Sequence, residues 1–472
     1  MEIIKSAAGH NYIYDRNTSY ISLSSNYSPK ENENQVNPHF AKKLDYLTRH
    51  GIISQEKSEN NQYRLLTKKD IDDAIINTHQ IILEVTDKCN LDCYYCGYGH
   101  FYDNYDARLN RDLPLDSFKT LYNYLKNLWE TSSNKGCSYL RISFYGGEPL
   151  CNFQFIHDAV MYTRNNPILN KKIVFSMTTN AVLLDKYMDF LVENNFEILI
   201  SLDGDKFNDS YRTFKNGTGS FDTVISNIDK LQSTYPIFFN KNIKFNSVLH
   251  NRNSVREANH FIYSRYNKRP MTNELNVFGI AKCKRAEFLK IFHSKTSEFN
   301  SMSNEEKQVY ERQSPHIIQC EKWLFSTLMK TYSVNIFDAL SDNFIESLDS
   351  NRQEIPTKTC IPFSRKIFVS VNGGIFPCER IGNEFNFGNI SGNELYINYD
   401  NIIERYNQLF LKYITACKTC KAKDFCSVCV VSDINGYEVC NRAKPRNIEE
   451  IISFFEANPE EIREIIKNIS II

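Results

Sequence analysis

Residues 80–96 read QIILEVTDKCNLDCYYC. The apolar run at 81–85 reads as a strand. After three intervening residues come Cys89, Cys93 and Cys96, with three residues and then two between them. Clustered thiols read first as metal ligands, and soft thiolates suit iron–sulfur clusters or zinc. Zinc closes its shell with four ligands. This stretch offers three, with no CxxH or HxxC partner, and His100 is the only close histidine. A four-iron cube on three thiolates leaves one iron open to an outside molecule.

Around this stretch the chain alternates between two kinds of pattern. Strands are expected at 81–85, 139–144, 173–179, 197–202, 243–249 and 274–279, with helices such as 115–130, 183–194, 220–233 and 253–265 between them. Strand and helix in strict alternation imply parallel strands with helices outside. The count falls short of an eightfold barrel. The expected fold is therefore α/β, a partial (β/α)6 TIM-like barrel over residues 80–282. Barrels carry their reactive groups at the carboxyl ends of strands, which is where the cysteines fall.

The flanks differ in character. Residues 1–79 hold a hairpin signal at Tyr12–Tyr14 and Tyr20–Leu23. Helical spacing follows at Phe40, Leu44 and Leu47, then a short strand near 63–66 and a helix from Lys68. This predicts a small winged-helix-like module. Residues 283–355 read as a helical bridge, 356–447 as a cysteine-rich iron–sulfur domain with a strand at 367–371, and 448–472 as a terminal helix.

The chain has 472 residues, enough for two or three domains, and 42% hydrophobic residues to fill their cores. Lys+Arg and Asp+Glu are both 56, a balance that gives no sign of a nucleic-acid or membrane-surface partner. No apolar run reaches the roughly 18 residues of a membrane span. MEIIKSAAGHNYIYD lacks the apolar centre of a signal peptide, so the expected compartment is the cytoplasm, where disulfides are rare.

The cysteine spacing, with Tyr95 just before the last thiol, resembles the signature of the radical SAM family. The resemblance implies that S-adenosylmethionine fills the open iron of a 4Fe-4S cluster and is cleaved reductively to a 5′-deoxyadenosyl radical. Gly146-Gly147-Glu148 on the second strand is similar to the family's GGE motif, whose carboxylate receives the amino group of S-adenosylmethionine. The third strand ends SMTTN and the fourth reads ILISLDG. Alternation points Ser176, Thr178 and Asn180, and likewise Ser201 and Asp203, into the lumen, as contacts for ribose and carboxylate. Arg212 in NDSYR matches a family arginine near that carboxylate.

A second field holds Cys360, Cys378, Cys417, Cys420, Cys426, Cys429 and Cys440. It resembles the SPASM extension, although Ser427-Val428 gives two residues where three are usual. The resemblance implies two auxiliary 4Fe-4S clusters, for three in all. Cys417, Cys420, Cys426 and Cys440 would hold one. Cys360, Cys378 and Cys429 would hold the other, with a site left open or a ligand borrowed from Cys320 or Cys283. Read without the resemblance, the same field suits two structural zinc sites.

Family members of this kind act mostly on peptides or proteins. The implied partners are a precursor peptide bound through its leader by the N-terminal module and an external electron donor of flavodoxin or ferredoxin type. The expected reaction is an oxidative crosslink, thioether or carbon–carbon. Formylglycine generation in a sulfatase, inversion of an alpha carbon, and a non-catalytic iron–sulfur scaffold or redox sensor are the alternatives. No catalytic acid or base is singled out.

Overall fold

The protein is described by a computed structural model covering residues 2–15, 20–24, 38–50, 53, 63–103, 108–132, 136, 138–277, 279–295, 298, 303, 355–357, 359–420, 428–432, 448–457 and 459. The chain divides into two units. One comprises Met1–Leu66, Ser303–Thr359 and Tyr406–Ile472, and the other Thr67–Met302 and Cys360–Arg405.

The first unit opens with an antiparallel sheet of β1 (Glu2–Lys5), β2 (Asn11–Asp15) and β3 (Tyr20–Ser24), in that order, so the expected hairpin gains a third strand. Helix α1 (Pro38–Arg49) follows, and Lys43 Nζ reaches Ser22 Oγ on β3 at 3.0 Å. The strand expected at 63–66 does not form. Leu66 instead donates its N–H to Asn407 Oδ1 at 2.7 Å and accepts from Asn407 Nδ2 at 3.0 Å. One side-chain amide satisfies what a strand ladder would have.

The second unit begins with α2 (Lys68–Ile76), which sequence reading groups with the N-terminal module. It starts on a capping box of Thr67 and Asp70. The alternating elements then run β4 (Gln80–Thr86), α3 (Leu115–Thr131), β5 (Tyr139–Gly146), α4 (Phe153–Asn165), β6 (Lys172–Thr179), α5 (Leu184–Glu193) and β7 (Glu197–Ser201). They continue as α6 (Phe221–Thr234), α7 (Pro236–Asn242), β8 (Ile243–Leu249), α8 (Val255–Tyr266), β9 (Met271–Glu274) and α9 (Arg285–Ile291). Strands β4 to β9 are neighbours in sequence order, and each pairs parallel with the next.

The sixth strand lies at 271–274 rather than 274–279. Leu275 leaves the sheet and is buried with Phe101, Phe288 and Tyr95, so its apolar character serves a side cluster instead of a ladder. The sheet also gains four strands: β10 (Ile367–Val369), β11 (Gly374–Phe376), β12 (Gly388–Ser391) and β13 (Glu394–Ile397). β10 pairs parallel with β4, Ile367 opposite Ile81, and the others follow antiparallel to give ten strands.

One face of the strands packs under the helices. Ile81, Leu83, Leu140, Ile142, Phe144 and Ile200 are all fully buried. Alternate residues on the other face are polar and bonded to one another. Gln80 Nε2 donates to Ser143 Oγ, which lies 2.7 Å from Ser176 Oγ, and Arg141 pairs with Glu197. A two-residue repeat along parallel strands thus separates an apolar outer layer from a polar interior.

The last helices among the described residues are α10 (Tyr399–Thr419) and α11 (Ile448–Ala457). Within the first unit, Tyr12 Oη donates to Glu456 Oε1 at 2.7 Å, tying the small sheet to α11.

Candidate functional site

The exit of β4 is held before the first cysteine. Thr86 Oγ1 donates to the Arg111 carbonyl at 2.9 Å, and Asp87 accepts from the N–H groups of Leu109 and Arg111 and from Arg111 Nε. Burial alone would push the Asp87 carboxyl up. Those donors outweigh it and hold the group below its usual range.

The cysteine loop is pinned by backbone bonds to the segment after β7. Asp92 donates to the Thr213 carbonyl at 2.7 Å and Tyr94 to that of Tyr211 at 3.0 Å. Two turns, Cys96 N–H to Cys93 O and Gly99 N–H to Cys96 O, fold the thiols together. Burial pushes the Cys93 thiol up to about 12. Arg212 opposes that rise, and the neighbouring Cys96 and Cys89 add to it.

Donors surround the sulfur atoms. Leu91 N–H lies 3.4 Å and Asn180 Nδ2 3.8 Å from Cys89 Sγ, and Arg108 Nη2 lies 3.0 Å from Cys96 Sγ. Asn90 Nδ2 and Arg108 Nε are buried with no partner among the described residues. Soft sulfur ligands ringed by N–H groups fit an anionic iron–sulfur cluster, whose sulfurs accept such bonds. No three His, Cys, Asp or Glu side chains among the described residues gather around one point as a single metal ion would need. Thiols that bind different corners of a cube need no such convergence.

Glu148 stands beside this loop. Gly147 N–H donates to the Thr86 carbonyl at 2.9 Å and Glu148 N–H to that of Lys88 at 2.8 Å, so the end of β5 lies against the exit of β4. Only glycine permits that approach. A Cβ on Gly146, whose φ is +131°, would lie 2.2 Å from the Thr86 oxygen, and one on Gly147 would lie 2.2 Å from the Lys88 oxygen. The buried carboxylate accepts from Thr179 Oγ1 at 2.7 Å and Leu150 N–H at 3.1 Å on Oε1, and from Asn180 N–H at 2.7 Å on Oε2. Burial still pushes its pKa up, against these bonds and the charge of Arg212. A carboxylate has about four acceptor sites, so Oε2 keeps room for one more donor such as an ammonium.

Beneath the cysteines lies a fully buried polar web. Tyr95 Oη donates to Asp203 Oδ2 and accepts from Arg212 Nη1 at 3.1 Å, while Asp203 Oδ1 accepts from Val248 N–H at 2.8 Å. His250 stacks on Tyr95, with ring centroids 5.5 Å apart. Its Nδ1 accepts from Arg252 N–H, which places the ring proton on Nε2, 3.6 Å from Asp203 Oδ2. Asp209 Oδ1 accepts from Asp203 N–H at 3.0 Å. Tyr95, Asp203 and Arg212 thus brace the loop between Cys93 and Cys96 from below.

Asp209 gives this web a pH signature. Burial pushes its carboxyl up to about 8; Arg212 opposes the rise and Asp203 adds to it. The folded chain then holds a proton that the unfolded chain has lost above about pH 4. Stability falls as pH rises between those values and levels off above the upper one. Asp209→Asn keeps the Oδ1 acceptor and removes the titration. Its unfolding midpoint, measured across pH 5 to 9, is expected to lose that slope, with its advantage over wild type growing towards alkaline pH.

The other expected residues distribute as follows. Thr178 and Ser201 are half-buried at the ends of β6 and β7, and Asn180 Nδ2 bonds Asn90 Oδ1 at 2.7 Å. In the second unit Cys360 is exposed and Cys378 half-buried, the latter thiol pushed up to about 12 by burial and by Glu379, which pairs with Lys366 at 3.0 Å. In the first unit Cys417 is buried, Cys420 exposed and Cys429 half-buried. Cys426, Cys440 and Cys320 lie outside the described residues.

Four residues near the thiols escape sequence reasoning. Thr179, outward by strict alternation, reaches Glu148 because β6 ends there. Cys151, read as scattered, has its thiol pushed up to about 11 by burial and, next, by the charges of nearby Glu148 and Cys89. His250 ends the strand run of β8, where the carboxyl-end rule would have found it. Arg108 carries no local signal.

Residues 83–261 match the Radical SAM superfamily. The cysteine-type anaerobic sulfatase-maturating enzyme of Clostridium novyi is 31% identical over 34% of this chain and 41% of its own length. The radical SAM cyclopropyl synthase TigE of Paramaledivibacter caminithermalis is 28% identical over 42% and 41% respectively. The chain spans about half or less of the length of the curated relatives it matches first. Among solved structures, a histidine-tagged form of anSMEcpe with bound AdoMet aligns with a TM-score of 0.50 and 18% identity over 83% of this chain and 100% of that one, a likeness of fold. No described helix is long and apolar enough to cross a membrane.

Proposed function

We propose, from the match of residues 83–261 to the Radical SAM superfamily, that this protein is a peptide maturase that forms an oxidative crosslink, thioether or carbon–carbon, in a ribosomally made precursor. The observation that supports radical SAM chemistry here is the pairing of three thiols with the half-used Oε2 of Glu148 at adjacent strand exits. Cys89, Cys93 and Cys96 would hold a 4Fe-4S cluster, and Glu148 Oε2 and Asn180 would orient the methionyl end of S-adenosylmethionine. Bound there, the pair would supply a 5′-deoxyadenosyl radical able to take a hydrogen atom from the peptide. The peptide then gives up one electron and one proton as the new bond closes. The second cysteine field would hold two auxiliary clusters that suit this electron loss, with an external flavodoxin- or ferredoxin-type donor for the first electron.

The leader would add to the outer edge of β3, last in its three-stranded sheet among the described residues, where backbone bonding gives affinity. Leu23, 57% exposed on that strand, offers an apolar contact. Likeness to a cysteine-type sulfatase-maturating enzyme favours a second reading, oxidation of a protein cysteine to formylglycine.

The test is mass spectrometry of the anaerobic, cluster-rebuilt enzyme with reductant and S-adenosylmethionine. Its substrates are the small peptide encoded beside the gene, the same peptide without its leader, and a cysteine-type sulfatase peptide. Loss of two hydrogens from the full peptide alone, surviving reduction and thiol alkylation, is the expected result. Formylglycine in the sulfatase peptide, with the first peptide unchanged, overturns the crosslink reading.

A further inference from the structure

Arg108 stands apart from the residues that serve the reading above. Its Nη2 lies 3.0 Å from Cys96 Sγ, the spacing of a charge-assisted hydrogen bond to a thiolate. The guanidinium carbon sits 5.0 Å from the centroid of the Tyr98 ring. The Tyr98 hydroxyl is bonded to Glu84 of β4, whose other interactions include the N–H of Val371 at 2.8 Å. The guanidinium is therefore placed from behind by a ring that the sheet itself holds. No ion pair to a carboxylate is formed by Arg108 among the described residues, and its Nε is buried without a partner. A guanidinium with its Nε cut off from water and its Nη2 aimed at sulfur is matched by a negative charge there.

We propose that Arg108 is a positioning residue of the cluster site, fixing the Cys96 thiolate and setting the cluster's reduction potential. The inference rests on the reading of Cys89, Cys93 and Cys96 as cluster ligands. Reduction adds a negative charge to the cluster. A fixed positive charge at one of its thiolates favours the reduced state, so the resident arginine makes the first electron easier to deliver. Planarity matters as well as charge, because a guanidinium can face sulfur and ring together while an ammonium cannot.

The test is a redox titration of the full-length, cluster-rebuilt protein followed by EPR, using the part of the signal that S-adenosylmethionine perturbs. Auxiliary clusters do not carry that perturbation. Iron per chain and the unfolding midpoint are measured alongside. In Arg108→Met the reduced-to-oxidised ratio at any fixed potential is expected to fall about tenfold, which is about 59 mV for a one-electron couple. Arg108→Lys is expected to lose less than about threefold. If Arg108→Met sheds iron while Arg108→Lys keeps it and both fold, the charge requirement stands. An unchanged ratio in a fully loaded Arg108→Met protein overturns the proposal. So does iron loss in both variants with a lowered unfolding midpoint, which would make Arg108 a packing residue. Absence of any perturbed signal in the wild type would instead sink the reading of the three cysteines.

Discussion

Cys93→Ala is expected to leave a folded chain that has lost the S-adenosylmethionine-sensitive EPR signal, with 5′-deoxyadenosine formation down more than about a thousandfold. The magnitude follows from what a lesser change does. Removing a residue that merely supports a metal ligand costs about 10–100-fold, and removing the ligand itself costs more. The chain tolerates the change because Cys93 is held by its neighbours rather than holding them. The bonds Asp92 to Thr213, Tyr94 to Tyr211 and Cys96 to Cys93 all run through backbone. Truncating one thiol removes little packing, about 1 kcal/mol. Cys151→Ala is the matched control. It lies in the same neighbourhood, with Asn90 N–H donating to its thiol, yet it falls outside the spaced trio. Its protein is expected to keep the signal. Retention of the signal in Cys93→Ala and loss in Cys151→Ala would reassign the ligands.

Gly147→Ala is expected to lose both stability and cofactor affinity while keeping its iron. The added Cβ would meet Lys88 O at 2.2 Å, Lys88 C at 2.6 Å and Asp87 O at 2.8 Å, all backbone atoms. Nothing there can rotate away, so the end of β5 must lift off the exit of β4. The bonds from Gly147 to Thr86 and from Glu148 to Lys88 break with it. Overpacking and two lost bonds cost about 3 kcal/mol, or roughly 6–12 °C in the unfolding midpoint for a unit of this size. Glu148 moves away from the thiols, so S-adenosylmethionine binding, measured by equilibrium dialysis, is expected to weaken more than tenfold. The cysteines sit on a different loop and should still take up iron. Gly97→Ala makes the comparison sharp: a Cβ there meets nothing within 4 Å, although it adjoins Cys96. Equal affinities in the two variants would mean that Glu148 does not contribute to binding.

The same glycines show how far a sequence can be read. Gly146-Gly147-Glu148 was legible as a motif, and its place at the end of a strand followed from alternation. The reason for glycine did not follow. The structure assigns it to the close approach of two strand exits. Tyr95, Asp203 and Arg212 repeat the lesson. Sequence reasoning places Asp203 and Arg212 towards the cofactor, and the structure adds that each bonds the Tyr95 hydroxyl beneath the loop.

Local patterns carried what depends on near neighbours in the chain. The spacing of Cys89, Cys93 and Cys96, the strand before them and the repeating strand–helix order are set within a few residues of one another, because thiol spacing and two-residue alternation are short-range properties. Partnerships across the chain had no such signal. Arg108 meets Cys96 from twelve residues away, Thr179 meets Glu148 only because β6 stops where it does, and β10 joins β4 across almost three hundred residues. Such contacts are chosen by which surfaces remain to be buried once the parallel strands have paired, and that is a property of the folded unit rather than of any stretch of its sequence.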